Sequence, residues 1–206
     1  MKIQLINIGR RFNREWIFRG VDYAFVQGES YAVLGPNGSG KSTLLQVLNG
    51  SLMPSAGSIK YFNGDAEIQA EQIFTQLSFA APYLDLIEEF TLDEVIDFHF
   101  KFKPYKQGLD KNAVIALLNM GASRNKQIRN FSSGMKQRLK LALAFCADTP
   151  LLMLDEPASN LDSQGVEWYL GLIEQYAAGR LTIICSNQEH EYSFCRRRIS
   201  ITDYKK

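Results

Sequence analysis

An α/β fold with a mainly parallel core sheet is predicted by three features of this 206-residue sequence. A short apolar run, Tyr31 to Leu34, enters a glycine-rich loop, and beyond it Leu44, Leu45 and Leu48 recur at helical spacing. Strand, loop and helix in that order open an α/β unit. Two later runs, Leu151 to Leu154 and Leu181 to Cys185, are apolar at nearly every position, which suits strands buried on both faces of a parallel sheet. Between the β-rich halves, residues ~84–147 carry helical periodicity, predicting an inserted helical subdomain.

The first thirty residues read as β. Ile3 and Leu5, then Val21, Tyr23 and Phe25, alternate with more polar neighbours, and Gln27-Gly28-Glu29 marks a turn. The helix beginning near Lys41 has Gly50 as its stop. Ile59 and Tyr61 sit in another strand, closed by the turn pair Asn63-Gly64, which completes an antiparallel β lobe. After the strand Leu77 to Ala80 the character changes. Thr91 and Glu94 make a capping box, and Leu92, Val95, Ile96 and His99 follow one helix face. Val114, Leu117 and Leu118 predict a second helix ending near Gly121, and Leu139, Ala142, Leu143 and Cys146 a third after Ser132-Ser133. Ile199 to Thr202 is expected as the last strand. No repeat, low-complexity tract or linker interrupts the chain, so residues 1–206 read as one domain.

Net charge is +1, with 46% apolar and 22% charged residues. That is the balance of an ordinary globular protein, and it implies no general attraction to nucleic acid. Cys146, Cys185 and Cys195 show no paired spacing and are expected to pack as small apolar residues in a reducing compartment. The start, through Phe12, has no uninterrupted apolar stretch of the kind a signal peptide needs, and no segment approaches the length of a membrane span.

Gly35-Pro36-Asn37-Gly38-Ser39-Gly40-Lys41-Ser42-Thr43 matches the P-loop pattern, with the strand before and helix after that it requires. Glycines let the backbone wrap phosphate closely, and the helix start adds its positive dipole end. Lys41 is expected to reach the β and γ phosphates of ATP or GTP, and Ser42 to ligate Mg²⁺. Asp155-Glu156 follows the run Leu151 to Leu154 directly, at the strand end where α/β sheets bind ligands. Asp155 is placed to hold Mg²⁺ through water, and Glu156 to polarise the attacking water as general base.

At this point the sequence resembles the ATP-binding cassette family over essentially its whole length. The deciding segment, Phe131-Ser132-Ser133-Gly134-Met135-Lys136-Gln137-Arg138, looks like that family's LSGGQ signature and the QR that follows it. Ser132, Ser133 and Gly134 at a helix start form a second anion site. The resemblance implies that this site faces a nucleotide held by a second ABC ATPase subunit. Ser159 to Asp162 resembles the D-loop, and Phe12 stands where the family stacks an aromatic ring on adenine, with Trp16 as the alternative.

The sequence departs from the family at three places. Ser133 and Met135 replace a glycine and a glutamine of the signature, as in some exporters of lipids and polysaccharides. Ala81-Pro82 stand where a glutamine is usual. Asn187 occupies the place of the switch histidine; it keeps a hydrogen-bond donor but not the charge, while His190 is expected on the surface. These changes predict slow hydrolysis with nucleotide binding intact.

The resemblance implies a cytoplasmic ATPase, peripheral on the membrane, that drives transmembrane permease subunits, more in the manner of an exporter. It implies no nucleic-acid partner. Aromatic and aliphatic residues from Tyr83 to Tyr105 would then provide a groove for a short partner helix. Two other readings are a soluble cassette acting on ribosomes or DNA and a weakly active regulatory cassette.

Overall fold

The computed structural model describes residues 1–205. The chain divides into two compact units: one takes residues 1–77, 150–156 and 179 onward, the other 78–149 and 157–178.

In the first unit, β1 (Lys2–Phe12) and β2 (Glu15–Val26) form a long antiparallel hairpin. Asn13 makes its turn at φ 53°, a left-handed conformation that asparagine tolerates better than most residues. Sequence patterning finds only one end of each strand. Register shifts after Leu5, Ile8 and Arg10 break the period-two alternation between them. After β3 (Ser30–Leu34) and α1 (Lys41–Leu48), β4 (Ala56–Asn63) pairs with the free edge of β1 and with β5 (Ala66–Ile68), across the expected Asn63-Gly64 turn. The result is an antiparallel sheet in the order β2-β1-β4-β5, with Ile3, Leu5, Phe18, Phe25 and Tyr61 buried.

The strand β6 (Leu77–Ala80) straddles the division between the units. In the second unit, α2 (Leu92–His99) and α3 (Lys111–Leu118) are each eight residues long, too short to persist alone in water. Packing sustains them. Leu92, Val95 and Ile96, Val114, Ile115 and Leu118, and Leu139, Ala142 and Leu143 of α4 (Ser133–Cys146) share one buried cluster. The predicted capping box is present: Thr91 N–H donates to Glu94 Oε2 at 2.8 Å, and Glu94 N–H to Thr91 Oγ1 at 3.3 Å. Asp110, Ser132 and Asp162 cap α3, α4 and α5 (Ser163–Tyr176) by accepting first-turn N–H groups. Sequence reading passed over α5, although Tyr169, Leu172, Ile173 and Tyr176 are buried at helical spacing.

The parallel sheet of the first unit runs β7-β8-β3-β9, with β7 (Leu151–Asp155), β8 (Leu181–Cys185) and β9 (Arg197–Ser200). Every pairing between these four strands is parallel, and β7 and β8 are buried at every position, as their apolar runs predict. A short helix, α6 (Glu189–Tyr192), precedes β9. The expected last strand shifts: it covers Arg197–Ser200, and Ile201–Tyr204 is a 3-10 turn. Its partner β3 ends at Leu34, opposite Ser200, so pairing stops where the glycine-rich loop begins. Among the described residues no helix is long and apolar enough to cross a membrane.

Candidate functional site

The loop between β3 and α1 closes so tightly that side chains are excluded from two of its positions. Gly35 and Gly40 have φ 150° and 105°. A Cβ on Gly35 would lie 2.6 Å from Ser39 Oγ, and one on Gly40 only 2.5 Å from Ile17 Cγ2. Lys41 is buried, and its ammonium donates to the carbonyls of Gly35 at 2.8 Å and Pro36 at 3.3 Å. No side chain caps α1, so its first-turn N–H groups are available to an anion. Ser39 Oγ is buried with no hydrogen-bond partner, an orphaned hydroxyl that a phosphate oxygen can satisfy. Open helix start, orphaned hydroxyl and close-wrapped backbone fit the phosphates of a nucleotide.

The strand β7 brings two carboxylates to the same place. Asp155 is buried at its end, and Glu156 follows at φ 42°, a conformation that stores backbone strain in a residue other than glycine. The Glu156 N–H donates to the Cys185 carbonyl at 2.8 Å, which fixes it against β8. Glu156 lines a cleft of about 210 Å³ with Ile17 and residues 37–43. Behind the loop, the Cys185 thiol donates to the Lys41 carbonyl at 3.6 Å. Burial pushes that thiol well above its ordinary pKa, and the negative charge of Asp155 adds to the effect, so Cys185 is inert packing. At the mouth, Asn187 Nδ2 donates to Asn37 Oδ1 at 2.5 Å.

The second unit holds a separate cleft of about 390 Å³, lined by Ser132, Ser133, Gly134, Met135 and Arg138 together with Asn160, Leu161 and Asp162. Ser132 Oγ accepts the Met135 N–H at 3.2 Å. Gly134 leaves room for the chain opposite: a Cβ there would lie 3.0 Å from the Asn160 carbonyl. The buried amide of Gln137 donates to the Pro157 carbonyl at 2.8 Å, tying residues 157–162 to α4. Signature-like and D-loop-like segments therefore make one surface.

The ABC transporter family matches residues 18–159, more than half of the chain. The chain belongs to that family. It is 29% identical over 195 residues to the ABC transporter ATP-binding protein YybJ of Bacillus subtilis, covering 92% of this chain and 86% of that protein. It is 29% identical over 192 residues to the lantibiotic transport ATP-binding protein SrtF of Streptococcus pyogenes, covering 91% of this chain and 79% of SrtF. Some relatives are far longer: the chain spans 9% of human phospholipid-transporting ATPase ABCA7, 28% identical over 186 residues, or 89% of this chain. The dimeric ATP-binding cassette MJ0796, solved with ADP and phosphate, has the same fold, with TM-score 0.78 at 18% identity over 96% of this chain and 93% of that one.

As an ABC transporter ATP-binding subunit, the chain binds ATP and is an ATPase. Of the residues singled out from sequence, Asn37 to Thr43 and Glu156 line the first cleft, Gly35 and Pro36 hold Lys41, and Asp155 adjoins Glu156. Ser132, Ser133 and Gly134 line the second. Phe12 is absent from the lining of the first cleft. It lies on β1, 47% exposed, with the Arg10 guanidinium 4.5 Å from its ring centroid. Trp16 turns into another depression, lined also by Asn7, Arg19, Gly20 and Asp203. That depression is larger than either cleft, at about 550 Å³, but it lacks the open helix start and orphaned hydroxyl of the P-loop. Ile17 lines the first cleft without having been singled out, whereas Arg138 and Asn160, read as parts of the signature-like and D-loop-like segments, line the second. Ile17 is an ordinary strand residue by sequence, and only the fold brings it against Gly40.

A third concavity, of about 300 Å³, lies in the second unit. Leu86, Ile87, Phe90, Phe98 and Phe102 give it apolar walls, and Leu143 of α4 also lines it. His99 lines it too, with Nε2 buried and unpartnered. Burial pulls the pKa of that imidazole down from 6.5 to about 4, with Lys103 adding to the shift and a hydrogen bond to the Leu143 backbone opposing it.

Proposed function

We propose that the chain is the motor of a multi-subunit exporter, hydrolysing Mg·ATP at a head-to-tail interface between two such subunits. The observation that carries this reading is the second cleft, where Ser132, Ser133 and Gly134 stand at the start of α4, on a different compact unit from the P-loop. In a head-to-tail pair each nucleotide is held by one copy's P-loop and the other copy's signature, and the dimeric cassette MJ0796 with ADP and phosphate supports that arrangement. The chain acts as one ABC ATPase domain over residues 1–206, with its helical subdomain at about 84–147.

Within the site, the backbone from Gly35 to Thr43 wraps the phosphates and Lys41 neutralises the β and γ groups. Phe12 stacks on adenine. Ser42 and Asp155 would hold Mg²⁺, which when bound would offset the negative charge developing on the phosphates. Glu156 orients and deprotonates the attacking water. Asn187 exchanges its bond to Asn37 for one to the γ-phosphate. Lacking the charge of an imidazolium, it stabilises the transition state less, and hydrolysis is slow.

The apolar groove receives a short cytoplasmic helix of a transmembrane permease subunit, which places the chain on the cytoplasmic face of the membrane. The lantibiotic-transport and phospholipid-transporting names of two relatives favour export. A net charge of +1 gives no footprint for nucleic acid. A weakly active regulatory cassette is the second reading, favoured by Asn187 and by Ala81-Pro82. Pull-down of tagged Glu156→Gln protein with Mg·ATP from detergent-solubilised native membranes tests the proposal. Recovery of a polytopic membrane protein supports it; recovery of ribosomal or DNA-bound factors alone, or of nothing from membranes, overturns it.

A further inference from the structure

The segment of residues 81–90, which contributes Asp85, Leu86, Ile87 and Phe90 to the groove wall, has no polar side chain at 81 or 82, yet it is firmly held. Lys140, in the middle of α4, donates its ammonium to the carbonyl of Pro82 at 2.7 Å and to that of Ala81 at 3.4 Å. One turn earlier on the same helix face, Lys136 pairs with Glu88 at 2.5 Å. The far side of the segment is tied to residues 127–129: Ile128 N–H donates to Phe90 O at 2.9 Å, Arg129 N–H to Glu88 O at 3.0 Å and Gln127 Nε2 to Glu89 O at 3.0 Å. The same helix α4 begins at the second anion site, with Ser132 as its cap, and reaches the groove at Leu143. Anion site and groove stand at two ends of one rigid rod, ~16 Å apart at 1.5 Å per residue.

We propose that Lys140 is a positioning residue that fastens the groove wall to the signature helix, so that a displacement of the anion site is delivered to whatever occupies the groove. The chemistry favours this role over surface charge. Burial disfavours the charged form of Lys140 and lowers its pKa, partly offset by Asp85 on the held segment. A lysine drawn out of water is retained where its donors are used, and here two adjacent backbone carbonyls use them. Substitution at Ala81 or Pro82 leaves their carbonyls in place, so at this end of the segment the attachment is removed by changing Lys140. Lys136 adds a second, more exposed point of attachment. The wall then moves with α4. This role deepens the proposed function, because the groove and the anion site take their purpose from it, while the fastening itself can be tested without it.

Hydrogen–deuterium exchange of the full-length protein reads the fastening directly. In Lys140→Met, amides of residues 83–90 are expected to exchange roughly tenfold faster or more, the loss of a charge-assisted bond, while residues 92–99 and the thermal midpoint change little. Lys140→Arg, which keeps the charge and donors, restores slow exchange. In the Glu156→Gln background with Mg·ATP, the segment gains protection, and Lys140→Met abolishes that gain. Unchanged exchange at 83–90 in Lys140→Met, or equal loosening in Lys140→Arg, overturns the proposal. The metal-free, nucleotide-free comparison judges the fastening by itself. Absence of any ATP binding or turnover by the parent protein would instead overturn the functional reading.

Discussion

Gly40→Ala is the substitution whose effect follows most directly from the geometry. Two independent penalties meet at this position. The backbone sits at φ 105°, and a left-handed conformation costs a residue with a Cβ roughly 1–2 kcal/mol. The added methyl would also lie 2.5 Å from Ile17 Cγ2, a contact real Cβ atoms do not make. Overpacking of this kind costs roughly 1–3 kcal/mol as neighbours shift. Together they amount to about 2–5 kcal/mol, taken partly from stability and partly from the alignment of the loop for phosphate. Chemical denaturation and nucleotide titration measure the two shares. The second penalty can be isolated, because Ile17→Ala removes the offending methyl. A double-mutant cycle between Gly40→Ala and Ile17→Ala should show a favourable coupling of about 1–3 kcal/mol, leaving the backbone strain in place. Strict additivity, or wild-type nucleotide affinity and stability in Gly40→Ala, would refute the idea that this glycine is required by the cradle.

Glu156→Gln should lower turnover at least about 100-fold while ATP affinity stays within about threefold, measured by phosphate release and equilibrium titration. Asn187→His introduces a group with an ordinary pKa of about 6.5. Its turnover, followed from pH 5.5 to 8.5 beside the parent, should gain a pH-dependent step near that value that the parent lacks; superimposable profiles count against a role for this position at the phosphate. His99 bears on stability instead. Its pKa falls from 6.5 to about 4 on folding, so the unfolded chain binds the proton more readily and stability drops as pH falls through that window. By pH 4.5 the loss should reach roughly 2–3 kcal/mol, and His99→Phe should remove it, as denaturant titrations at pH 7 and 4.5 would show.

Much of the site was legible because its chemistry restricts residue types locally. Phosphate must be wrapped by backbone, so Gly35, Gly38 and Gly40 stand together in the chain. A strand must deliver Asp155 and Glu156, so four apolar residues, Leu151 to Leu154, run directly into the two carboxylates. The fold was legible for a similar reason, since β7 and β8 are buried on both faces and read as continuous apolar runs. What escaped was set by contacts between distant positions. Ile17 is close to Gly40 only because β2 folds back along β1. The middle of that hairpin was hidden by its own bulges, which put the residues after Leu5 out of phase with the alternation that reveals strands.

The same distinction explains why the departures from the family pattern had to await the structure. By sequence, Ala81-Pro82 is a loss: the family resemblance leads one to expect a glutamine there. In the fold, Lys140 bonds to the backbone of those two residues, and a lysine 58 residues away from Pro82 gives no local sign of that use. Asn187 likewise reads as a weakened switch until its amide is found on Asn37 of the P-loop. A residue-by-residue comparison counts substitutions as deficits. Hydrogen bonds across the fold show what these positions are joined to instead: Ala81 and Pro82 to Lys140, and Asn187 to Asn37.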